Sequence, residues 1–547
     1  MSEAKPKMPR GIPYIIGNEA AERFSYYGMR TILVIFMTKY LVDSSGAANT
    51  MSGEEAKVWY HTFSMAVYAF PIIGALISDI LWGKYKTIMA LSVVYCLGHL
   101  SLAFMDVHFM TQILEPRTWL ALGLGLIAVG SGGIKPCVSA HVGDQFKPHQ
   151  KTLLDKIFSY FYFSINFGAF LSTLATPWLL AEFGPAVAFG IPGLLMFIAT
   201  YFFWIGRTKF TAIPSVAEKL SIQKGAKLSE KIAKPLIKVL VGVTVLGLMG
   251  YYLGLTWTLL AVAMALTALF AVPSVRESMK KVFPDQMQGT VDFSKEVFSK
   301  AGLKALGGLG VLYVFIAVFW CLFDQTGSSW VLQADNMNRW VDLRFGPFQM
   351  EWLNFELLPS QIQALNPLLI LTYIPLFNMV IYPLVGKLVK VTPLRKIGFG
   401  FFLTAVSFAI IAHAEGLIEA GQNPTIMWQF YAYAIITAGE VLISITALEF
   451  SYTQAPLAMK SIIMGVFLLS VSLGNFITAL VNKLIQNPDG TVALSGVEYY
   501  MFFTQLVLFA GVAFIIAARF YKEESYIQDY EVEREEPLAT VNATTQA

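Results

Sequence analysis

The chain has 547 residues, 56% of them hydrophobic and 14% charged, with a mean hydropathy of +0.59 and a formal net charge of +3. An average soluble domain carries roughly a quarter charged residues, so these values exclude an ordinary water-soluble globule and point to a chain built for a bilayer. The small, dispersed positive excess excludes a nucleic-acid partner, and three cysteines inside apolar runs (Cys96, Cys137, Cys321) exclude a disulfide framework.

A crossing helix needs about 20 mostly apolar residues, and that template predicts about fourteen spans. They start near Ile12, Val58, Thr87, Thr118, Leu153, Gly184, Ala233, Gly254, Leu303, Gln363, Arg395, Thr425, Leu457 and Val497. The opening "MSEAKPKMPRG" leads into a long apolar segment without a small-residue cleavage site, so the first helix is expected to stay in the membrane. Basic residues favour cytoplasmic loops. Here they follow alternate spans, in "GKYK", "KPHQKTLLDK" and "RTKF". The reading is a multi-pass protein of the cell inner (plasma) membrane with both termini cytoplasmic.

The expected organisation is a cytoplasmic tail over 1–11, a six-helix bundle over 12–206, a linker over 207–301, a second six-helix bundle over 302–520 and a cytoplasmic tail over 521–547. The linker contains "PLIKVLVGVTVLGLMGYYLGLTWTLLAVAMALTALFAV", which is predicted to form a transmembrane hairpin at about 233–273; one long tilted span plus an interfacial helix is the alternative. Between the bundles runs a weak echo. "PIIGALISDILWGKYKTIMAL" at 71–91 is answered by "PLFNMVIYPLVGKLVKVTPLRKIGFG" at 375–400, each an apolar span, a glycine, a short basic loop and a new span. Two such halves with a site between them at the bilayer midplane is the plan of a secondary transporter. The first copy also resembles the loop signature of the major facilitator superfamily.

Charge inside the spans is the second signal. Arg or Lys at a helix centre costs about 2.5 to 3.5 kcal/mol on insertion scales, so such residues belong on an interior face. In "NEAAERFSYYG", Glu19, Glu22, Arg23 and Tyr26, together with Arg30, share one helical face, where Arg23 can pair with both glutamates. A purely structural ion pair is the alternative. Further ionisable residues fall inside other spans: His61, Lys135, Asp324 and Glu440. Spread over both halves, they point to a translocation pathway.

"EAAERFSYYG" resembles the ExxER helix of the proton-dependent oligopeptide transporter family, also called the peptide transporter family. "GSGGIKPCVSAHVGDQF" (130–146) and "FSYFYFSINFGAF" (158–170) resemble its fourth- and fifth-helix signatures, and "GEVLISITALEFSYTQAPLAMKS" (439–461) its tenth-helix block. The resemblance implies an all-α membrane protein of the major facilitator superfamily fold, with two six-helix bundles plus an inserted two-helix hairpin of the prokaryotic type.

It also implies roles. Arg23, Arg30 and Lys135 would receive a peptide carboxylate and Glu440 the peptide ammonium. Tyr26, Tyr27, Tyr68, Tyr162, Asn166, Asn366 and Ser444 would hydrogen-bond the peptide or border its side chains, with helix–helix bonding as the alternative for Tyr162 and Asn166. Trp320 and Phe467 would supply apolar walls, and Phe467 departs from the tryptophan that many relatives carry. Glu19, Glu22, Arg23 and His61 would carry proton coupling; histidine titrates near pH 6.5 in water, and a neutral packing histidine is the alternative. Arg30, His61 and Asp324 would gate the outer side, with Lys135 and Glu440 also exchanging contacts. His141 receives no role.

The function implied is proton-coupled import of di- and tripeptides by alternating access, with protons as coupling ion and neither cofactor nor metal. Nitrate or another small organic solute is the alternative cargo, although a site with both charge signs suits a zwitterion. No nucleophile with its base, metal cluster or phosphate loop suggests an enzyme, and the sequence does not fix the oligomeric state.

Overall fold

Prolines and glycines punctuate the helices. The structure, a computed structural model, describes residues 8–146, 151–211, 300–341, 344–345, 348–349, 355–454 and 460–521. The expected hairpin at about 233–273 and both terminal tails past these limits lie outside the described residues, as does most of the 207–301 linker.

Helix α1 (Ile12–Ile35) starts with proline in its first turn and continues through a π-helical turn, Phe36–Tyr40. Helix α2 (Gly53–Ala69) is capped by Ser52, whose hydroxyl accepts from the Glu55 amide at 3.1 Å, and has Glu54 and Glu55 in its first turn, where the helix dipole favours them. It continues through Pro71–Leu76 and a π-helical Ile77–Trp82. Helix α3 (Gly83–Ala103) and helix α4 (Pro116–Gly143) follow. The spans expected to start near Val58, Thr87 and Thr118 thus begin a few residues earlier, because caps and prolines, rather than hydropathy, set their first turns.

The helical run Lys151–Ile205 holds two helices, α5 (151–183) and α6 (185–205). They meet at Gly184, whose φ of 80° only glycine adopts without strain, and Pro185 then opens α6. In the second half come α7 (Lys300–Phe323), extended by Asp324–Gly327 and Ser329–Asp335, and α8 (Leu365–Leu376), entered through Pro359–Ala364 and extended by a π-helical Phe377–Ile381 and Tyr382–Gly386. Helix α9 (Pro393–Glu419) is capped by Thr392. Helix α10 (Met427–Glu440) runs on through a π-helical Val441–Ile445 and Thr446–Gln454. Helices α11 (Lys460–Leu484) and α12 (Gly496–Phe520) complete the set. Between α7 and α8 the chain makes two short antiparallel pairs: β1 (Trp340–Val341) with β4 (Phe355–Glu356), and β2 (Arg344–Phe345) with β3 (Phe348–Gln349).

Nine helices among the described residues are long and apolar enough to cross a membrane, one of them spanning the Gly184 break. The long helical runs starting at Ile12 and Gly53 lie outside those nine and are rich in charged and polar residues. Two apolar clusters form: one draws almost entirely on α1 to α6, the other on α7 to α12 and their connections. Within each, side chains interlock around small residues. Gly474 of α11 faces α7 so closely that a Cβ there would lie 2.5 Å from the Ala317 carbonyl oxygen and 2.8 Å from the Trp320 Cβ.

Candidate substrate and proton site

Helix α1 turns its charged stripe inward. Glu19, Glu22 and Tyr26 are fully buried, and the side chains of Arg23 and Arg30 are only 12% and 11% exposed. Arg23 donates through Nε to Glu19 Oε1 at 2.7 Å, and the same nitrogen lies 3.3 Å from Glu22 Oε2. One guanidinium therefore serves two carboxylates, which neutralises charge that burial would otherwise penalise heavily. The second Glu22 oxygen accepts from Ser131 of α4 at 2.6 Å, while Oε2 of Glu19 is buried with no hydrogen-bond partner.

Ser131 was not singled out by the sequence. It sits in "GSGG", where small residues read as helix packing, and only the fold reveals that its hydroxyl points at a carboxylate. One turn along α4, Lys135 places its ammonium over the rings of Tyr26 at 4.2 Å and Tyr68 at 4.8 Å, a cation–π seat.

The second half supplies the opposite sign. Glu440 ends the regular part of α10 just before its π-helical turn, a distortion that recurs at functional sites. Its Oε2 accepts from Asn366 of α8 at 2.7 Å, and Asn366 also donates to Thr437 at 3.2 Å. Ser444 is half-buried in the π-helical turn. Tyr27 lies within electrostatic reach of Arg23, Arg30, Glu22 and Glu440 and so senses charge from both halves. Tyr162, 42% exposed, is within reach of Glu440 and Tyr27.

Some expected pairings are not formed. Lys135 and Glu440 are not in contact: aromatic rings hold the one and Asn366 holds the other, on helices of different halves. Asn166 spends an amide hydrogen on the Tyr162 carbonyl of its own helix at 3.0 Å, the helix-bonding alternative. Phe467 is buried against Tyr313, with centroids 5.9 Å apart. Trp320 packs edge-on against Phe319 and Phe323, and its indole N–H is buried without a partner.

Toward the end of the bundle farthest from the chain termini, the halves are latched together. Arg30 Nη2 meets Asp324 Oδ1 at 2.5 Å, and the guanidinium also lies over the Tyr60 ring at 5.1 Å. His61 does not touch Asp324 directly. Asn475 of α11 bridges them: His61 Nδ1 to Asn475 Oδ1 is 2.8 Å, and Asn475 donates to Asp324 Oδ2 at 2.6 Å. His61 Nε2 is 2.9 Å from Ser328 Oγ. The carbonyl acceptor at Asn475 means that Nδ1 carries a proton. Farther out, Lys39 pairs with Asp335 at 2.5 Å, and Gln363 donates to the Thr31 carbonyl at 3.2 Å. Asn475, Ser328, Lys39 and Asp335 were all missed by sequence reasoning. No group of three or more metal-ligating side chains occurs among the described residues.

Known proteins resemble the chain over most of its length. Residues 85–497 match the profile described as the POT family. The chain is 36% identical over 422 residues to "Peptide transporter family 1" of Drosophila melanogaster, covering 75% of this chain and 48% of that protein. It is 36% identical over 420 residues to "Solute carrier family 15 member 2" of Danio rerio, covering 74% of this chain and 50% of that protein. The chain thus spans about half the length of these curated relatives. Among solved structures, an auto-inhibited POT family peptide transporter superposes with a TM-score of 0.73 at 34% identity, covering 95% of this chain and 99% of its own. The POT family transporter PepTSo gives 0.71 at 37% identity, covering 94% and 99%.

Proposed function

This chain belongs to the POT family and is a multi-pass membrane protein of the major facilitator superfamily fold, and on that premise we propose that it carries di- and tripeptides together with protons by alternating access. The supporting observation is the split of charge between the halves: the cations Arg23, Arg30 and Lys135 stand on one and the carboxylate of Glu440 on the other, with Tyr27 in electrostatic reach of Arg23, Arg30 and Glu440. A zwitterionic peptide presents a carboxylate and an ammonium at opposite ends, so one molecule engages both halves. A guanidinium meets a carboxylate bidentately, and Glu440 accepts the ammonium with Asn366 holding it in place. Nitrate would offer Glu440 no cation.

In this reading the halves that rock are 12–206 and 302–520, the termini lie in the cytoplasm at the inner membrane, and the latched end faces outward. The captured conformer is then closed outside. Protonation of Glu22 removes one of the two carboxylate charges that Arg23 balances, and Ser131 keeps the acid in position. Arg23 becomes available to the peptide carboxylate, and loss of the proton on the cytoplasmic side restores the pair. His61, Asn475, Asp324 and Arg30 open as one unit on the outward stroke. The driving force is the membrane potential, about 2.3 kcal/mol per charge per 100 mV, plus the pH gradient.

Uptake of labelled dialanine into proteoliposomes, with and without an imposed proton gradient, tests this. Gradient-driven accumulation, inhibited by unlabelled dipeptides and not by nitrate, is expected. Competition by nitrate at comparable concentrations would overturn the peptide assignment.

A further inference from the structure

A groove of about 530 Å³ lies on the outer surface of the second half, between the first turns of α9 and the last turns of α12. Its walls are apolar: Phe399, 59% exposed, and Ile515, 40% exposed, stand beside Phe402 and Gly398. Two arginines, Arg395 and Arg519, line it. Because α9 begins at Pro393 and α12 ends at Phe520, the arginines sit where the helices leave the bilayer and the aromatic walls extend into it.

We propose that this groove binds an anionic phospholipid, with its phosphate at Arg395 and Arg519 and an acyl chain along Phe399, Phe402 and Ile515. Charge complementarity chooses the headgroup. Arg395 donates one N–H to the Lys390 carbonyl at 2.9 Å, which orients the fork and leaves four donors. Neither arginine pairs with a carboxylate among the described residues. The connecting segment 387–396 contributes Lys387, Lys390 and Lys396 with no acidic residue, so the local field is positive. Basic pockets between helices at the membrane surface have the chemistry of acidic headgroup sites, whereas the ammonium of a zwitterionic headgroup would meet two guanidinium groups.

Shape chooses a lipid over the chain's own acidic tail, "YKEESYIQDYEVEREEP", which follows α12. The tail could satisfy the arginines, but its apolar side chains stand singly or as the pair Tyr526–Ile527 between charged and polar residues, so it offers no continuous apolar length to the phenylalanine walls. Gly398 keeps the groove open. A Cβ there would make an ordinary 3.6 Å contact with Ile515, so backbone packing does not demand glycine, and a longer side chain would occupy the space of an acyl chain.

Native mass spectrometry of the full-length chain, released from detergent with added phosphatidylglycerol or phosphatidylethanolamine, tests the proposal. Wild type is expected to retain phosphatidylglycerol in preference to phosphatidylethanolamine. Each interfacial arginine contributes roughly five-fold to anionic-surface affinity, so Arg395→Gln with Arg519→Gln should lower retention by about twenty-five-fold. Lys387→Gln with Lys390→Gln, which removes equal charge beside the groove but no donor that lines it, should lower it less than the arginine pair does. Gly398→Leu, with both arginines intact, should also lower it, distinguishing a lipid site from a site for a bare anion. Equal loss in the lysine control, or unchanged retention in the arginine pair, overturns the proposal. So does preference for phosphatidylglycerol that emerges only after removal of residues 522–547, which would make the tail the occupant.

Discussion

Arg30 of α1 and Asp324 of α7 meet at 2.5 Å across the two halves, with Asp324 buried and Arg30 nearly so. A buried pair of this kind is a conditional joint. Its mutual attraction roughly offsets desolvation while both partners are present, but removing one partner strands a charge at a cost of about 3 to 5 kcal/mol. The pair therefore holds the latched end shut only as long as both charges persist, which suits a gate.

Asp324→Asn should release this gate. Spin labels on Ser45→Cys and Asn338→Cys, both exposed near the latched end, are expected to show a longer-distance population that is minor in the parent. Gradient-driven uptake should drop by tenfold or more. An unchanged distance distribution would mean that the Lys39–Asp335 pair and apolar packing suffice.

Asn475→Ala removes the bridge between His61 and Asp324 while leaving both titratable side chains in place. If His61 acts through this bridge, the pH profile of uptake should come to resemble that of His61→Ala. A profile indistinguishable from wild type, at normal protein yield, would assign Asn475 to packing alone.

Ser131→Ala tests the support of Glu22. A hydrogen bond to a charged group is worth about 1.5 to 3 kcal/mol, so the Glu22 carboxylate that Ser131 now holds would lose that support. The pH dependence of gradient-driven uptake is expected to shift, with counterflow of labelled dipeptide nearly intact. Equal loss of both activities would indicate a folding defect.

Gly474→Val should loosen the second half. The added carbons would press on the Ala317 carbonyl and Trp320, and overpacking of this kind costs about 1 to 3 kcal/mol. A lower apparent Tm in detergent, followed by tryptophan fluorescence, is expected; an unchanged Tm would mean that α11 shifts along α7 without penalty.

Much of the site was legible because full charges in apolar helices are costly and so stand out: the stripe from Glu19 to Arg30, His61, Asp324 and Glu440 all emerged from that one consideration. The helical periodicity that put the stripe on one face is local, and the structure keeps it. Partners that lie far apart in sequence were not legible. Asn475 is 414 residues from His61, and as a neutral amide in an apolar run it looks like any helix-packing residue. Ser131 was hidden for the same reason. The Lys135–Glu440 contact carried no local signal either, since it depends on how the halves stand; in this conformer the two side chains turn to Tyr26 and Tyr68 and to Asn366. Helix starts were displaced because a single cap such as Ser52 or Thr392 outweighs a hydropathy window.

The most direct test of the account is Glu22→Gln in proteoliposomes. Glutamine keeps the shape and can still accept from Ser131, but it carries no charge that a proton could remove, so a proton cannot switch its pairing with Arg23. The account predicts loss of dipeptide accumulation driven by an imposed proton gradient, with counterflow exchange of labelled for unlabelled dipeptide preserved. Accumulation at the wild-type level in response to the same gradient would contradict it.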